Sequence, residues 1–220
     1  MNAMNAVEVK NLSFKYNNSE EYILKDVNFS VKSGETVAIK GQSGCGKSTL
    51  CNIICGLIPR IYKGNLTGEV LIYGENIENL SIAETVQKIG IIFQNPSTQL
   101  FSPTIEDELA FGPENLCVDK EEIGIRINKI LKTINMEKCI YDNPNNMSGG
   151  EQQLIAIASV LMLNPSILIC DEIMSWIDDE GKEIIKSVLL RLKEEGKTII
   201  MVDHDLENIK FADRVIYLGE

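Results

Sequence analysis

The feature that most constrains this chain is a glycine-rich segment at residues 41–49, which reads Gly-Gln-Ser-Gly-Cys-Gly-Lys-Ser-Thr. It fits the pattern G-x-x-x-x-G-K-[ST] of phosphate-binding loops. A short, apolar and partly β-branched run precedes it at residues 36–40, and an apolar helical pattern follows at residues 50–57. The loop is therefore predicted to join a buried parallel strand to a packed helix, as nucleoside triphosphate sites require.

Each residue type in this loop has a chemical reason to be there. Glycines at positions 41, 44 and 46 let the backbone curl so that its N–H groups face phosphate oxygens, and the following helix adds its positive dipole end. Lys47 offers a point charge for the β- and γ-phosphates, and the Ser48 hydroxyl is a ligand for Mg²⁺. A glycine-rich turn with no ligand is the alternative. We predict that the nucleotide phosphates contact Gly41, Gln42, Ser43, Gly44, Cys45, Gly46, Lys47, Ser48 and Thr49.

Composition excludes several other classes of protein. The 220 residues carry a formal net charge of −11, whereas non-specific binding to nucleic acid or to anionic lipid needs a basic face,. We therefore expect no nucleic-acid partner. No run approaches eighteen apolar residues, the start does not resemble a signal peptide, and the six cysteines form no C-x-x-C pair,. These features predict a soluble, non-exported protein with reduced thiols.

The apolar patterns predict the order of the elements. Residues 7–16 and 27–31 alternate apolar and polar side chains, which indicates half-solvated antiparallel strands,. Further strands are predicted at residues 70–73, 89–93, 167–171, 198–202 and 214–218, and helices at 81–88, 123–136, 148–163 and 180–195,.

Strands that alternate with helices imply a parallel sheet, so the predicted fold class is α/β. We expect one domain over residues 1–220: a phosphate-loop NTPase core with a mainly parallel sheet, an N-terminal antiparallel β-subdomain, and an inserted α-helical subdomain. The β-subdomain and core are predicted at about 1–93 and 165–220, and the helical subdomain at about 95–164.

Two carboxylates end the apolar run at residues 167–170. Ligands bind beyond the carboxyl ends of strands in an open parallel sheet, and Asp171 and Glu172 lie at such an end,. Asp171 is predicted to position Mg²⁺, usually through water, and Glu172 to orient or deprotonate the attacking water. Taken alone, this pair could equally cap a helix after a strand.

Two weaker motifs point the same way. Ser148, Gly149 and Gly150 open a predicted helix, where unpaired N–H groups form a second phosphate site; a simple capping serine is the alternative,. Gln94 follows a predicted strand, and its amide can meet Mg²⁺ or water. On its own, a glutamine in a turn is more often structural.

The order of these motifs resembles the nucleotide-binding subunit of an ATP-binding cassette (ABC) transporter over nearly the whole chain. The resemblance implies that Tyr16 stacks on adenine and that Gln94 belongs to the glutamine loop. It also implies that residues 147–151 are the family signature, that residues 175–178 form the loop ending in aspartate, and that His204 is the switch histidine. A lone histidine is usually structural, but His204 directly follows a buried strand, where imidazole could reach a γ-phosphate.

The same resemblance implies a mechanism. Two cassettes, identical or different, close head to tail, so that Ser148, Gly149 and Gly150 complete the partner's ATP site. Catalysis is assigned to Glu172, His204 and Gln94, and Mg²⁺ to Ser48, Gln94 and Asp171, with ATP and Mg²⁺ as cofactors. Closure of the two cassettes on ATP supplies the work, and hydrolysis then releases the closed pair.

A narrower resemblance, to energy-coupling factor ATPases, rests on residues 93–96, 99–101 and 104–115 and on the segment 56–64. It implies a peripheral subunit at the cytoplasmic face of the membrane. That subunit powers uptake of a vitamin or a transition-metal ion such as cobalt, with a transmembrane coupling subunit and a substrate-binding membrane subunit. Asp107 and Glu108 are the expected contacts to basic residues of the coupling subunit; solvated helix charges are the alternative.

Some residues depart from the family pattern, and other functions stay open. Leu154, Ile173, Met174 and Trp176 replace the common residues, which predicts that one nucleotide site is weak. The chain ends soon after its last predicted strand, so we expect a truncated protein or the first half of a tandem ATPase. The alternatives are a soluble ABC switch in translation or DNA maintenance, a binding-only cassette, and a small-molecule kinase, which would leave Ser148 and His204 without a role.

Overall fold

A computed structural model describes residues 4–219 and contains two sheets. The antiparallel sheet has the strand order β2-β1-β4-β5, with β1 Asn5–Tyr16, β2 Leu24–Lys32, β4 Gly64–Ile72 and β5 Glu75–Asn76. The parallel sheet has the order β6-β7-β8-β3-β9, with β3 Thr36–Lys40, β6 Ile89–Ile92, β7 Ile167–Asp171, β8 Thr198–Val202 and β9 Arg214–Tyr217.

The helices surround the parallel sheet. They are α1 Lys47–Ile54, α2 Leu57–Arg60, α3 Ile82–Lys88, α4 Ile105–Asn115, α5 Lys120–Thr133, α6 Gly149–Leu161 and α7 Asp179–Glu194. Helices α4, α5 and α6 all lie in the chain between β6 and β7. Within residues 4–219 no helix has the length and apolar character that crossing a membrane requires.

The parallel sheet is buried on both faces, which explains its continuous apolar runs. Every residue of β7 and β8 is buried. Successive side chains of a strand point to opposite faces, so these strands contribute to two cores. Leu168 and Met201 pack with the helices α4–α7, whereas Ile169 and Ile200 pack with α1 and the antiparallel sheet.

The register of the parallel sheet determines where the site forms. Asp171 at the end of β7 lies beside Val202 at the end of β8, and Val202 lies beside Ile39 of β3. The segments that follow these three strands therefore emerge at one edge of the sheet. They are the glycine-rich loop, the pair Asp171–Glu172, and the segment from Asp203 onwards.

The α/β fold class with a parallel core, an antiparallel β-subdomain and inserted helices is confirmed, whereas the subdomain boundaries stay predictions. Two elements differ from expectation. The helix expected at residues 50–57 is Lys47–Ile54, because Gly56 adopts a left-handed backbone with φ 70° and separates it from α2. Helix α4 Ile105–Asn115 was not predicted: Thr104 caps its first turn by accepting from the Asp107 N–H, and Pro113 lies in its last turn.

The expected role of Glu108 as a membrane-subunit contact is wrong. Its side chain is only 5% exposed, and its Oε2 atom accepts hydrogen bonds from the N–H groups of Phe101 (3.0 Å) and Ser102 (2.8 Å). Asp107 is exposed, but its carboxylate accepts a hydrogen bond from the Thr104 hydroxyl at 2.6 Å. Glu108 therefore holds the turn before α4, and Asp107 belongs to a helix cap.

We predict that Glu108→Ala lowers the free energy of unfolding by about 2–4 kcal/mol, because two backbone N–H groups lose their partner. Chemical denaturation followed by circular dichroism measures this loss. Glu106→Ala, an exposed residue in the same turn of α4, is the matched control and should change stability by less than about 0.5 kcal/mol,. Equal effects of the two substitutions would contradict the assigned role of Glu108.

Candidate functional site

The glycine-rich loop adopts a curl that only glycine permits at two positions. Gly44 and Gly46 have φ values of 81° and 98°, in the left-handed region,. A Cβ atom at Gly41 would lie 2.5 Å from the carbonyl oxygen of Leu218, so a side chain would displace β9 or the loop. Cys45 is partly exposed within the curl. The backbone geometry thus explains the three glycines of the motif.

Lys47 holds its charge inside this curl. Its ammonium group donates to the carbonyl oxygens of Gly41 and Gln42, both at 3.0 Å, and the residue is buried. Both partners are neutral. The loop therefore presents a fixed positive charge at the first turn of α1, an arrangement that favours an anionic group.

Asp171 is a buried carboxylate that is only partly satisfied. Burial raises the pKa of its carboxyl group, whereas a hydrogen bond from Ser48 and the charge of Lys47 lower it; the neighbouring charge of Glu172 raises it. Its Oδ1 atom is buried and has no hydrogen-bond partner among the described residues. An unpartnered carboxylate oxygen beside a serine hydroxyl offers the oxygen ligands that Mg²⁺ prefers, so this pair fits that ion.

The described residues contain no group of three or more His, Cys, Asp or Glu side chains that could hold a metal. A divalent cation at Asp171 would therefore take its remaining ligands from outside these side chains. Phosphate oxygens and water are the usual ones for Mg²⁺, which dehydrates reluctantly. The donor set at Asp171 and Ser48 thus suits a cation that arrives with a nucleotide.

Three polar side chains approach one oxygen of Glu172. Its Oε2 atom accepts from Gln94 Nε2 at 3.1 Å and from Ser175 Oγ at 3.4 Å, and His204 Nδ1 lies 3.8 Å away. Glu172 has φ 51°, and its N–H group donates to Val202 at 2.8 Å. A left-handed, non-glycine residue held by its neighbours is typical of functional positions.

His204 is accessible rather than structural. Its side chain is 67% exposed, whereas the preceding Asp203 is buried and accepts hydrogen bonds from the Asp205 N–H (2.8 Å) and Asn208 Nδ2 (2.9 Å). Asp203 thus fixes the turn, and His204 projects from it towards Glu172.

Tyr16 lies beside the glycine-rich loop. Its hydroxyl group is 3.1 Å from Thr49 Oγ1, and its ring packs edge-on against Phe14 with centroids 4.9 Å apart. The antiparallel sheet therefore brings an aromatic ring next to the first turn of α1.

The signature residues lie apart from the phosphate loop of their own chain. Ser148 caps α6, and its hydroxyl donates to Glu151 Oε2 at 2.7 Å in a capping box. Ser148 and Gly149 are exposed. A side chain at Gly149 or Gly150 would have Trp176, Ile177 and Gly181 as its nearest neighbours outside α6. Capping is thus observed, and a ligand on this exposed turn would have to arrive from outside the chain.

The residues that depart from the family pattern are mostly core residues. Leu154, Ile173 and Met174 are buried in the core between the parallel sheet and helices α4–α7. Of the four residues only Trp176 is exposed to solvent, at 81%. The weak nucleotide site that was inferred from them stays a prediction that now rests on Trp176.

Sequence reasoning placed Ser175 in the loop ending in aspartate without its contact to Glu172, and it missed Gln153. Ser175 bonds to Glu172, and the buried Gln153 donates from Nε2 to the Phe93 carbonyl oxygen at 3.2 Å, which ties α6 to the glutamine segment. Ser175 follows a recognised motif and was open to prediction. Gln153 looks like any other polar residue of α6, so no sequence feature identified it.

Comparison with known proteins gives consistent matches. The family model for ABC transporters matches residues 24–175. A putative ABC transporter ATP-binding protein of Pyrococcus abyssi is 45% identical, with 97% of this chain and 77% of that protein covered. The energy-coupling factor transporter ATP-binding protein EcfA1 of Mycoplasma mobile is 40% identical, with the same coverage of 97% and 77%.

Solved structures agree. CbiO1 of Clostridium perfringens, described as part of the ABC transporter complex CbiONQ, superposes with a TM-score of 0.85 at 32% identity, with 97% of this chain and 84% of that chain covered. A second ATP-binding cassette, solved as a dimer in a post-hydrolysis state with ADP and inorganic phosphate, has a TM-score of 0.82 at 34% identity, with 96% and 94% covered.

The buried charge at Asp171 should lower stability. We predict that Asp171→Asn raises the free energy of unfolding by about 1 kcal/mol in EDTA at pH 7, because an amide removes the desolvated charge and can keep the Ser48 hydrogen bond,. Thermal and denaturant unfolding measure the gain. Asp179→Asn, at a fully exposed side chain, is the control.

The gain should depend on pH. Because the folded-state pKa of Asp171 is raised, protonation of this carboxylate stabilises the folded wild type,. The stability cost of the buried charge therefore disappears below the unfolded-state pKa of about 3.9. The difference between Asp171→Asn and wild type should thus shrink as pH falls from 7 to 3.5. A difference that is constant or grows over this range would contradict the assignment.

Proposed function

The chain belongs to the ABC transporter family, and from this premise we propose that it is the ATP-hydrolysing subunit of an energy-coupling-factor-type importer. The observation that carries the proposal is the convergence of Gln94, Ser175 and His204 on Glu172, directly after the buried Asp171. The similarity to EcfA1 over nearly the whole chain supports the transporter class.

Glu172 is the catalytic carboxylate in this proposal. It orients a water molecule and accepts its proton while the water oxygen attacks the γ-phosphorus and the bond to the bridging oxygen of ADP breaks. The hydrogen bonds from Gln94 and Ser175 fix the orientation of the carboxylate. In this proposal the His204 imidazole, 3.8 Å from Glu172, donates to a γ-phosphate oxygen.

The phosphate loop and Tyr16 bind the nucleotide. The N–H groups of residues 41–49 and the Lys47 ammonium neutralise the phosphates, and the ring of Tyr16 stacks on adenine next to Thr49,. Ser48 and Asp171 are the residues that would hold Mg²⁺. Gln94, whose side chain donates to the neighbouring Glu172, would be a third ligand. The ion would supply charge neutralisation at the β- and γ-phosphates.

A second cassette, identical or different, completes each site. The Ser148 N–H group donates to Glu151, whereas Gly149 and Gly150 offer unpaired N–H groups at the start of α6 and have no phosphate-loop residue among their nearest neighbours,. This exposed turn therefore serves the nucleotide bound to the partner. The dimeric, ADP-bound relative supports this arrangement.

A membrane coupling subunit docks beside α4. Phe101 and Phe111 form an edge-on pair with centroids 4.7 Å apart that stays 62% and 48% exposed. Residues 89–119 contain four exposed acidic side chains, besides the buried Glu108, and no Lys, Arg or His. An apolar helix with basic flanks suits this surface, and in this proposal the contact holds the chain at the cytoplasmic face of the membrane.

We propose that the cargo is a transition-metal ion such as cobalt, or a vitamin, captured by a separate membrane subunit. The similarity to CbiO1 of the complex CbiONQ and to the energy-coupling factor protein EcfA1 supports this cargo class. A soluble switch is disfavoured because the relatives from Pyrococcus abyssi and Mycoplasma mobile are described as transporter ATP-binding proteins. A binding-only cassette is disfavoured by the intact environment of Glu172.

We predict that Glu172→Gln lowers the ATPase kcat by at least about 100-fold, because an amide cannot accept the proton of the attacking water. Phosphate release at saturating Mg-ATP measures kcat, and calorimetry measures ATP affinity, which should change by less than about threefold. Glu183→Gln, an exposed glutamate on α7, is the control. A turnover unchanged by Glu172→Gln would favour a binding-only cassette.

A further inference from the structure

A cavity of about 320 Å³ lies on the other side of the molecule from the nucleotide residues. It is bounded by α5, by the connection from α6 to β7, and by the C-terminal part of α7. Asn164 and Lys197 in its wall precede β7 and β8, whereas Asp171 is the last residue of β7 and His204 follows β8. A five-residue strand spans about 17 Å, so the two sites are distinct,.

The cavity carries positive charge in an acidic protein. Four cations, Arg126, Lys129, Arg191 and Lys197, and two carboxylates, Glu122 and Glu195, line it, which leaves a net charge of +2. The whole chain has a net charge of −11. Low-dielectric walls around like charges concentrate the local potential and attract anions.

The two carboxylates are each bound to an arginine. Arg126 Nε donates to Glu122 at 2.8 Å, and Arg191 Nε donates to Glu195 at 3.3 Å. The second pair is half-exposed on both sides, and such pairs hold weakly,. The guanidinium group of Arg191 is therefore free to turn towards a ligand in the cavity.

The two lysines provide the uncompensated charge. Lys197 Nζ donates to Asn164 Oδ1 and to the Pro165 carbonyl oxygen, both at 2.6 Å, so neutral oxygens fix its position. Lys129 is exposed, and its ammonium has no hydrogen-bond or ion-pair partner within residues 4–219. Burial lowers the pKa of Lys197, the charge of Glu195 raises it, and the charge of Lys129 lowers it.

The remaining wall is apolar. Ile125 (63% exposed) and Ile130 come from α5, Leu161 from the end of α6, and Leu192 from α7. The volume equals that of about ten water molecules and falls at the lower end of small-molecule sites. A ligand that fits both parts of the wall has one anionic end and a short aliphatic body.

We propose that this cavity binds an alkyl phosphate monoester, with the phosphate between Lys129, Arg191 and Lys197 and the chain against Ile125, Ile130 and Leu161. The guanidinium fork of Arg191 and the ammonium group of Lys129 can donate to a tetrahedral dianion, and the fixed positive charge of Lys197 adds to the attraction,. A soluble metabolite and a phospholipid headgroup share this chemistry. The ligand bridges α5 of the inserted helices and α7 of the core.

Calorimetric titration of the full chain with 1-hexyl phosphate tests the site, with Mg²⁺ and a non-hydrolysable ATP analogue at saturation so that the phosphate loop is filled. We expect one site with a Kd below about 1 mM, within the range of small-ligand affinities. Lys129→Gln and Arg191→Gln should each weaken binding at least fivefold. Lys132→Gln, on the same helix but outside the cavity, should leave it unchanged.

Flotation with phosphatidic-acid vesicles separates the two sources of the ligand. If hexyl phosphate binds in a way that depends on Lys129 and Arg191 but the protein does not bind vesicles, the ligand is soluble. Vesicle binding with the same dependence supports a lipid headgroup. Absence of both, or binding that neither Lys129→Gln nor Arg191→Gln changes, would overturn the proposal. Unchanged melting temperatures of the variants confirm that they fold, since both side chains lie at the surface.

Discussion

Parallel pairing of three buried strands is the constraint on which the rest of the structure depends. The register of β3, β7 and β8 sets Ile39, Asp171 and Val202 side by side, so the phosphate loop, the two carboxylates and the histidine segment leave the sheet at one edge. These groups come from segments spread between residues 41 and 204 of the chain. A slip of one residue would move each buried side chain to the opposite face and separate the groups.

The site is assembled from groups that cost stability. Asp171 is a buried carboxylate with an unpartnered oxygen, Glu172 adopts a left-handed backbone, and Lys47 is buried against neutral carbonyl groups. Each is unfavourable for folding alone and favourable for holding a triphosphate with its metal. The surrounding apolar strands supply the stability that keeps these groups in place.

Sequence reasoning recovered what depends on local pattern. The phosphate loop followed from its motif, the buried strands from apolar runs, and the pair Asp171–Glu172 from its place at a strand end, and the structure brings His204 and Gln94 to Glu172. Sequence reasoning failed where the role of a residue depended on which side of its helix faces the core. Glu108 stands in an acidic run that looks solvated, yet it is the residue of that run that turns into the core.

Other features could not be predicted because they join distant segments. The cavity beside α5 takes its walls from three helices and from the residues before two strands, and no single stretch of sequence contains its charge pattern. Gln153 reaches Phe93 across sixty positions of sequence. Contacts of this kind are decided by tertiary packing, which periodicity and local motifs do not describe.

The central claim is that the energy of this ATP site is delivered to a membrane protein. Affinity capture of the full chain from detergent-solubilised membranes of the cells that encode it, with mass spectrometry, tests this most directly. We predict recovery of a transmembrane coupling protein with a small substrate-binding membrane protein, and loss of both when Phe101 and Phe111 are replaced by serine. Recovery of soluble partners alone, unaffected by these replacements, would contradict the account.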